Sequence, residues 1–187
     1  MATNNRHKIE EIKTLIPSHI QLVSLSDIGC DVELPETGDT LEANSLQKAR
    51  YVWDHYQVSC FADDTGLEVA ALHGEPGVYS ARYAGPHRSS EDNIRLLLNK
   101  LQDKSNRNAQ FRTCITLILE GKVHQFNGVV KGRIIEELRG QGGFGYDPVF
   151  VPEDYSETFA EMPLEEKNQI SHRARAVGQL VEFLGRI

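Results

Sequence analysis

Two runs of apolar and alternating residues, Gln110 to Glu120 and Lys122 to Ile135, meet at Gly121. Such patterning on both sides of one glycine predicts two long paired strands joined by a tight turn. Their length predicts an extended, curved sheet, and the rest of the chain supplies helices to flank it. Apolar spacing at Ile9, Ile12, Leu15 and Ile16, closed by Pro17, predicts a short amphipathic helix opening near Arg6. Thr40 can cap a longer helix carrying Leu41, Leu46, Ala49, Tyr51, Val52 and Trp53 to about His55. Ser90 can cap another through Leu101, and Ser171 a last one with Ala174, Val177, Leu180, Val181 and Leu184 inward. Glu165 to Gln169 reads as a brief helical turn. Ile20 to Leu25, Val58 to Ala62 and Val149 to Val151 read as strands, the second ending in Asp63-Asp64-Thr65-Gly66. Gly74 to Pro76 is a turn, and the glycine-rich stretch Arg139 to Pro148 cannot be a regular element. Neither an internal repeat nor an interdomain linker interrupts this order, so residues 1–187 are expected to form a single α/β domain.

The 187 residues suffice to bury a core without disulfides, as one compact unit or two closely packed lobes. Cys30, Cys60 and Cys114 are odd in number and far apart, which argues against a disulfide framework or a metal knuckle and for a reducing cytoplasm. The polar start and the shortness of the longest apolar stretch, Cys114 to Leu119, predict neither export nor a membrane anchor. A net charge of −7 repels a nucleic-acid backbone at long range, so no stable nucleic-acid complex is expected and any anion site must be local.

Local anion sites are visible where two helices begin. Helix N-termini carry the positive end of the macrodipole and normally collect acids. Here Arg6, His7 and Lys8 open the first helix, and His172 and Arg173 follow Ser171 at the last. Each placement opposes a preference worth ~0.3–1 kcal/mol, which an anionic ligand would reverse. Free backbone N–H groups, the Thr3 hydroxyl, the Asn4 amide and the cations of Thr3 to Lys8 make a candidate phosphate site. A charged surface turn is the competing reading for either terminus alone; the two together bring the readings to parity. Asp63 and Asp64, with Glu36 in a loop and Glu11 one turn after Lys8, can supply hard oxygen ligands for Mg²⁺. An Asx turn or solvated charge competes for the acidic pair, and the phosphate-binding candidate shifts the balance. Phe144-Gly145-Tyr146-Asp147 places aromatics where a base could stack, against an aromatic turn tucked under the sheet. Lys167 and Arg173 could donate to a purine carbonyl. The residues that a P-loop NTPase, a zincin or an α/β-hydrolase requires are missing.

Taken in order, Thr3, Asn5 and Lys8; Glu36-Thr37-Gly38 with Thr40 and Asn44; Ala62 to Leu67; Pro76 to Arg82; Gly142 to Pro148; and Glu166 to Arg173 resemble the inosine/xanthosine triphosphate pyrophosphatase family, the Ham-type proteins, over nearly the whole chain. The resemblance implies two lobes around a long, curved mixed central sheet flanked by helices, an active-site cleft between the lobes, and a homodimer. It also implies Mg²⁺-dependent hydrolysis of non-standard purine nucleoside triphosphates (dITP or ITP, XTP or dXTP) between the α and β phosphates. By that resemblance Thr3, Asn4, Asn5, Arg6, His7 and Lys8 bind the triphosphate, Asp64 is proton acceptor and metal ligand, Glu36 is the second metal ligand, and Thr65 touches substrate. Phe144, Gly145, Tyr146, Asp147, Lys167, Ser171, His172 and Arg173 enclose the base. Lys8 would offset developing charge and Asp63 would assist Asp64. A pyrophosphatase of other modified nucleotides and a noncatalytic nucleotide-binding module are the alternatives. Relatives of this kind carry a short apolar strand before the first threonine, where this chain has Met1 and Ala2; lower stability, and with it impaired turnover, is expected beside a version extended by apolar residues.

Overall fold

Strands β2 (Asn108–Leu119) and β3 (Lys122–Ile134) form the predicted hairpin. Glu120 and Gly121 between them both adopt positive φ, 48° and 81°, the backbone that a two-residue turn needs to match the twist of its strands. The computed structural model describes residues 1–186, and in it the hairpin is the middle of a four-stranded sheet in the order β1-β2-β3-β4. Strand β1 spans Cys60–Val69 and β4 spans Phe150–Pro152. β4 runs antiparallel to β3, with Gly132 opposite Pro152 and Ile134 opposite Phe150. A Cβ at Gly132 would lie 2.3 Å from the Val151 carbonyl oxygen, so this close pairing requires glycine.

The helices are α1 (Arg6–Leu15), α2 (Leu41–Tyr56), α3 (Ser90–Lys100), α4 (Leu164–Ile170) and α5 (His172–Leu184). Asn5 and Thr40 cap α1 and α2 by accepting from the backbone N–H three residues on. Ser89, one residue before the serine expected, caps α3 in the same way. The chain divides into two compact units. The first, Met1–Asp64, Thr113–Gly128 and the chain from Arg173 onward, holds two cores. One gathers Leu25, Cys30, Ala49, Val52, Ala62 and Ile118; the other gathers Ile12, Ile115, Leu117, Ala176, Val177 and Leu180. The second unit, Thr65–Arg112 and Val129–His172, packs Leu67, Val69, Ile94, Leu97, Phe111, Tyr146, Phe150 and Phe159 together.

Two expectations need correction. Ile20 to Leu25 is not a strand. Asp27 captures this segment, accepting from both the backbone N–H and the hydroxyl of Ser24 at 2.8 and 2.7 Å, and such local bonds compete with a ladder. Likewise β1 does not stop at Ala62 but continues through Asp63-Asp64-Thr65-Gly66 to Val69. The acidic pair therefore lies in mid-strand. Alternation then carries the two side chains to opposite faces of the sheet, into different surroundings.

Candidate active site

The first unit builds its site around that pair. Asp63 is fully buried, and its Oδ2 lies 2.9 Å from Lys8 Nζ and 3.6 Å from Arg173 Nε. Lys8 comes from the first turn of α1 and Arg173 from the start of α5, so the two helix N-termini that break the charge preference meet at one carboxylate. Arg173 is itself buried and also pairs through its guanidinium with the buried Glu11 of α1. Burial alone would push the Asp63 carboxyl up, yet Lys8, Arg173 and Lys48 outweigh it and hold the group well below the usual carboxylate range. Asp63 is a permanent anion whose partners are cations of the protein.

Asp64 has the opposite balance. It is 7% exposed, its Oδ2 accepts from Asn44 Nδ2 at 3.1 Å, and its Oδ1 lies 3.6 Å from Lys48 Nζ. Burial pushes this carboxyl up, and Lys48 and Lys8 only partly offset it. Asn44 and Lys48 sit one helical turn apart on the buried face of α2, with Ser45, Ala49 and Val52. Lys48 Nζ also donates to the Asp63 carbonyl at 2.7 Å and pairs with Glu36. Burial disfavours the Lys48 ammonium, but Asp64, Asp63 and Glu36 more than compensate and raise its pKa. For Lys8 burial prevails over Asp63 and lowers it.

Lys48 is the residue that sequence patterning missed. Its signal was present: a lysine four residues after Asn44, on the side of an amphipathic helix that Ala49 and Val52 mark as inward. Glu11, an expected oxygen ligand for a metal, lies instead against Arg173. Thr3 and Lys8 are half-buried, while Asn4, Asn5, Arg6 and His7 are exposed at the open end of α1. Thr3 Oγ1 accepts from the Asn5 N–H at 3.2 Å, shaping the turn there. Before it, the Ala2 N–H donates to the Phe61 carbonyl at 2.7 Å, against β1.

Among the described residues no group of three or more His, Cys, Asp and Glu side chains is arranged to hold a metal ion. Glu36 and Asp64 nonetheless converge on one cationic atom, Lys48 Nζ. Carboxylate oxygens are hard donors of the kind that Mg²⁺ takes, one or two at a time, together with water and phosphate oxygens.

The second unit builds a different site. Asp147, 3% exposed, accepts at one oxygen, Oδ2, from the Phe144 N–H at 2.8 Å and from Lys167 Nζ at 2.7 Å. The Lys167 ammonium, brought by α4, lies 5.3 Å from the Phe144 ring centroid and 5.4 Å from that of Phe159. Gly143 has φ +68°, and a Cβ there would come within 2.1 Å of Asp147 Oδ2. Gly140, with φ +83°, is as tightly placed against the Ala160 backbone. The loop is thus a shape that only glycine permits. His172, also buried, stacks on Phe111 with centroids 4.7 Å apart and an interplanar angle of 16°. Ser171 is buried between α4 and α5. Phe144 and Gly145 are half-buried, whereas Tyr146 belongs to the core and donates its hydroxyl to the Ser80 carbonyl at 2.9 Å. Of the two aromatics expected to stack on a base, only Phe144 keeps a partly open ring. Thr65, half-buried on β1, opens this unit, and Arg173 is placed with the Asp63 cluster of the first unit.

Residues 1–183 match the sequence model of the Ham1 family. A dITP/XTP pyrophosphatase of Flavobacterium johnsoniae is 55% identical over 98% of this chain and 95% of its own length. Among solved structures, the Ham1 protein of Staphylococcus aureus superposes with a TM-score of 0.90 at 41% identity, covering 98% of this chain and 96% of that one. A HAM1 protein from Coxiella burnetii gives 0.92 at 35% identity, covering 99% and 96%.

Proposed function

The chain belongs to the Ham1 family, and we propose that it hydrolyses non-standard purine nucleoside triphosphates, dITP and XTP foremost, to the monophosphate and pyrophosphate. One observation carries the mechanism: two adjacent carboxylates have different surroundings, Asp63 fully buried against Lys8 and Arg173, Asp64 slightly open beside Asn44 and Lys48. Environments that separate a pair in this way separate their roles. Asp64, slightly open, takes the proton from the attacking water; Asp63, enclosed by Lys8 and Arg173, fixes them for the phosphates. Lys8 and Lys48 meet the negative charge that grows on the phosphate oxygens, and the exposed end of α1 from Thr3 to His7 offers N–H groups and cations to the outer phosphates. Glu36 and Asp64 would hold Mg²⁺, which when bound polarises phosphorus and neutralises the departing pyrophosphate.

For the base, Phe144 offers a partly open face, and Lys167, His172 and the Asp147 loop supply fixed polar groups. A donor aimed at the 6-oxo oxygen of hypoxanthine or xanthine meets an amino donor in adenine and leaves both unpaired, a loss that discriminates strongly in a buried site. The test is pyrophosphate release over dITP, XTP, dATP and ATP, with and without Mg²⁺. Mg²⁺-dependent release from dITP and XTP, with ATP slower by roughly a hundredfold or more, is expected. Tight nucleotide binding without release would instead make the chain a noncatalytic module.

We further propose assembly as a homodimer, which the family resemblance implies and light scattering at assay concentration tests. A cytoplasmic setting is supported by three buried free cysteines; no helix among the described residues is long and apolar enough to cross a membrane.

A further inference from the structure

Beyond Thr65, the backbone of β1 is finished by side chains and turns of the second unit. The Leu67 N–H donates to Ser80 Oγ at 2.9 Å, and the Val69 N–H donates to the Glu75 carbonyl at 3.0 Å. Ser80 lies in the 3₁₀ turn Gly77–Arg82, 9% exposed. Its hydroxyl also donates to the Gly77 carbonyl at 2.6 Å, so it is used in both directions. Its carbonyl accepts from Tyr146 OH at 2.9 Å and from Asn93 Nδ2 at 3.4 Å. Asn93, also buried, steadies the same turn by donating to the Ala81 carbonyl and accepting from the Ala84 N–H. Gly66 leaves no slack, because a Cβ there would lie 2.6 Å from the Gly77 carbonyl oxygen.

One residue therefore ties two segments that the proposed reaction uses. Through its hydroxyl it fixes β1 three residues after Asp64 and two after Thr65. Through its carbonyl it fixes Tyr146, and with it the loop from Phe144 to Asp147. We propose that Ser80 is a positioning residue for the hydrolysis, its Oγ setting the course of β1 next to the acidic pair and its carbonyl setting the aromatic loop by way of Tyr146. This rests on the pyrophosphatase reading above. The two links run through different atoms, so they can be cut separately. Ser80→Ala removes the hydroxyl and keeps the carbonyl; Tyr146→Phe cuts the carbonyl link and leaves the hydroxyl in place.

The experiment is steady-state hydrolysis of dITP with Mg²⁺ by wild type, Ser80→Ala, Ser80→Thr and Tyr146→Phe, with circular dichroism and thermal melting on each. Ser80→Ala is expected to lose kcat by roughly tenfold to a hundredfold with KM changed less than about threefold, since misplacement by a fraction of an ångström acts on the chemical step. Ser80→Thr, which keeps a hydroxyl, should recover most of that loss. Tyr146→Phe should raise KM about fivefold or more and leave kcat within about twofold. A folded Ser80→Ala with wild-type kcat, a loss that Ser80→Thr does not restore, or a Tyr146→Phe with wild-type KM overturns the proposal. If Ser80→Ala does not fold, the Ser80→Thr and Tyr146→Phe results decide alone. A wild type that releases no pyrophosphate from dITP instead refutes the underlying reading.

Discussion

The acidic cluster of the first unit and the glycine loop of the second are both buried and both charged, yet they hold their groups by different means. Around Asp63 and Asp64 the geometry is electrostatic: Lys8 and Glu11 of α1, Glu36, Lys48 of α2 and Arg173 of α5 are linked to the pair and to one another by ion pairs. Around Asp147 the geometry is steric, since Gly140 and Gly143 permit backbone turns that no side chain tolerates and one carboxylate oxygen then fixes Phe144 and Lys167. A charge-built site depends first on every charge being present; a shape-built site depends first on backbone turns that a side chain would block.

The largest effect expected from this contrast is Asp64→Asn, which removes the raised carboxyl and keeps an oxygen for the Asn44 amide. Turnover should fall by about 10²–10⁴-fold, the worth of a positioned general base, with the fold intact. Retained pyrophosphate release would exclude Asp64 as the base. Asp63→Asn sharpens the comparison because it lies one residue away and should behave differently. It leaves Lys8 and Arg173 facing a neutral group in a fully buried position. Breaking such a cluster costs about 3–5 kcal/mol, so chemical denaturation should show a loss of stability that Asp64→Asn does not share. Equal stability of the two variants would break the distinction between counterion and base.

How far each region could be read in advance follows from the same contrast. The loop Arg139 to Pro148 was legible because its constraint is local: consecutive glycines exclude helix and strand, and Asp147 acts on Phe144 three residues away. The hairpin, the helix caps at Thr40 and near Ser90, and the inward face of α5 were legible for that reason too. Lys48 was not, because its meaning comes from Asp64 and Glu36, and an isolated lysine in a helix reads as solvated. Glu11 was legible as an acid near Lys8 but not as the partner of Arg173, which lies at the far end of the chain. Local preference puts the acidic pair at a strand end, because Asp and Gly are poor strand formers; the ion pairs of Asp63 and the Ser80 bond to Leu67 override it.

Gly143→Ala probes the shape-built region. Alanine is strained at φ +68° and its Cβ would displace the Asp147 carboxylate, so both the Phe144 N–H bond and the Lys167 pair are disturbed. The expected outcome is a rise in KM for dITP of roughly tenfold, worth about 1.4 kcal/mol, with kcat changed much less. A fall in kcat with unchanged KM would show that the loop governs chemistry rather than the base, and would erase the division between the two regions.

The smallest effect is at alkaline pH and sets the neutral anchor of the second unit against the ionic one of the first. Burial pushes the Tyr146 phenol well above its ordinary value, with Tyr83 adding to the shift. The folded state therefore keeps a proton that the unfolded chain releases near pH 10, the ordinary phenol value. A folded-state pKa above the unfolded one gives stability that is complete below about pH 10 and falls as pH rises beyond it, at up to about 1.4 kcal/mol per pH unit. Lysines titrate in the same window, so the wild-type slope alone identifies nothing. Tyr146→Phe carries every one of those lysines and lacks only the phenol, so the difference between the two denaturation series between about pH 9 and 11.5 isolates it. The gap in stability should narrow as pH rises, because the wild type alone pays for keeping the phenol neutral. Parallel curves would mean that Tyr146 is wetted in solution and that its hydroxyl does not hold the loop through the Ser80 carbonyl.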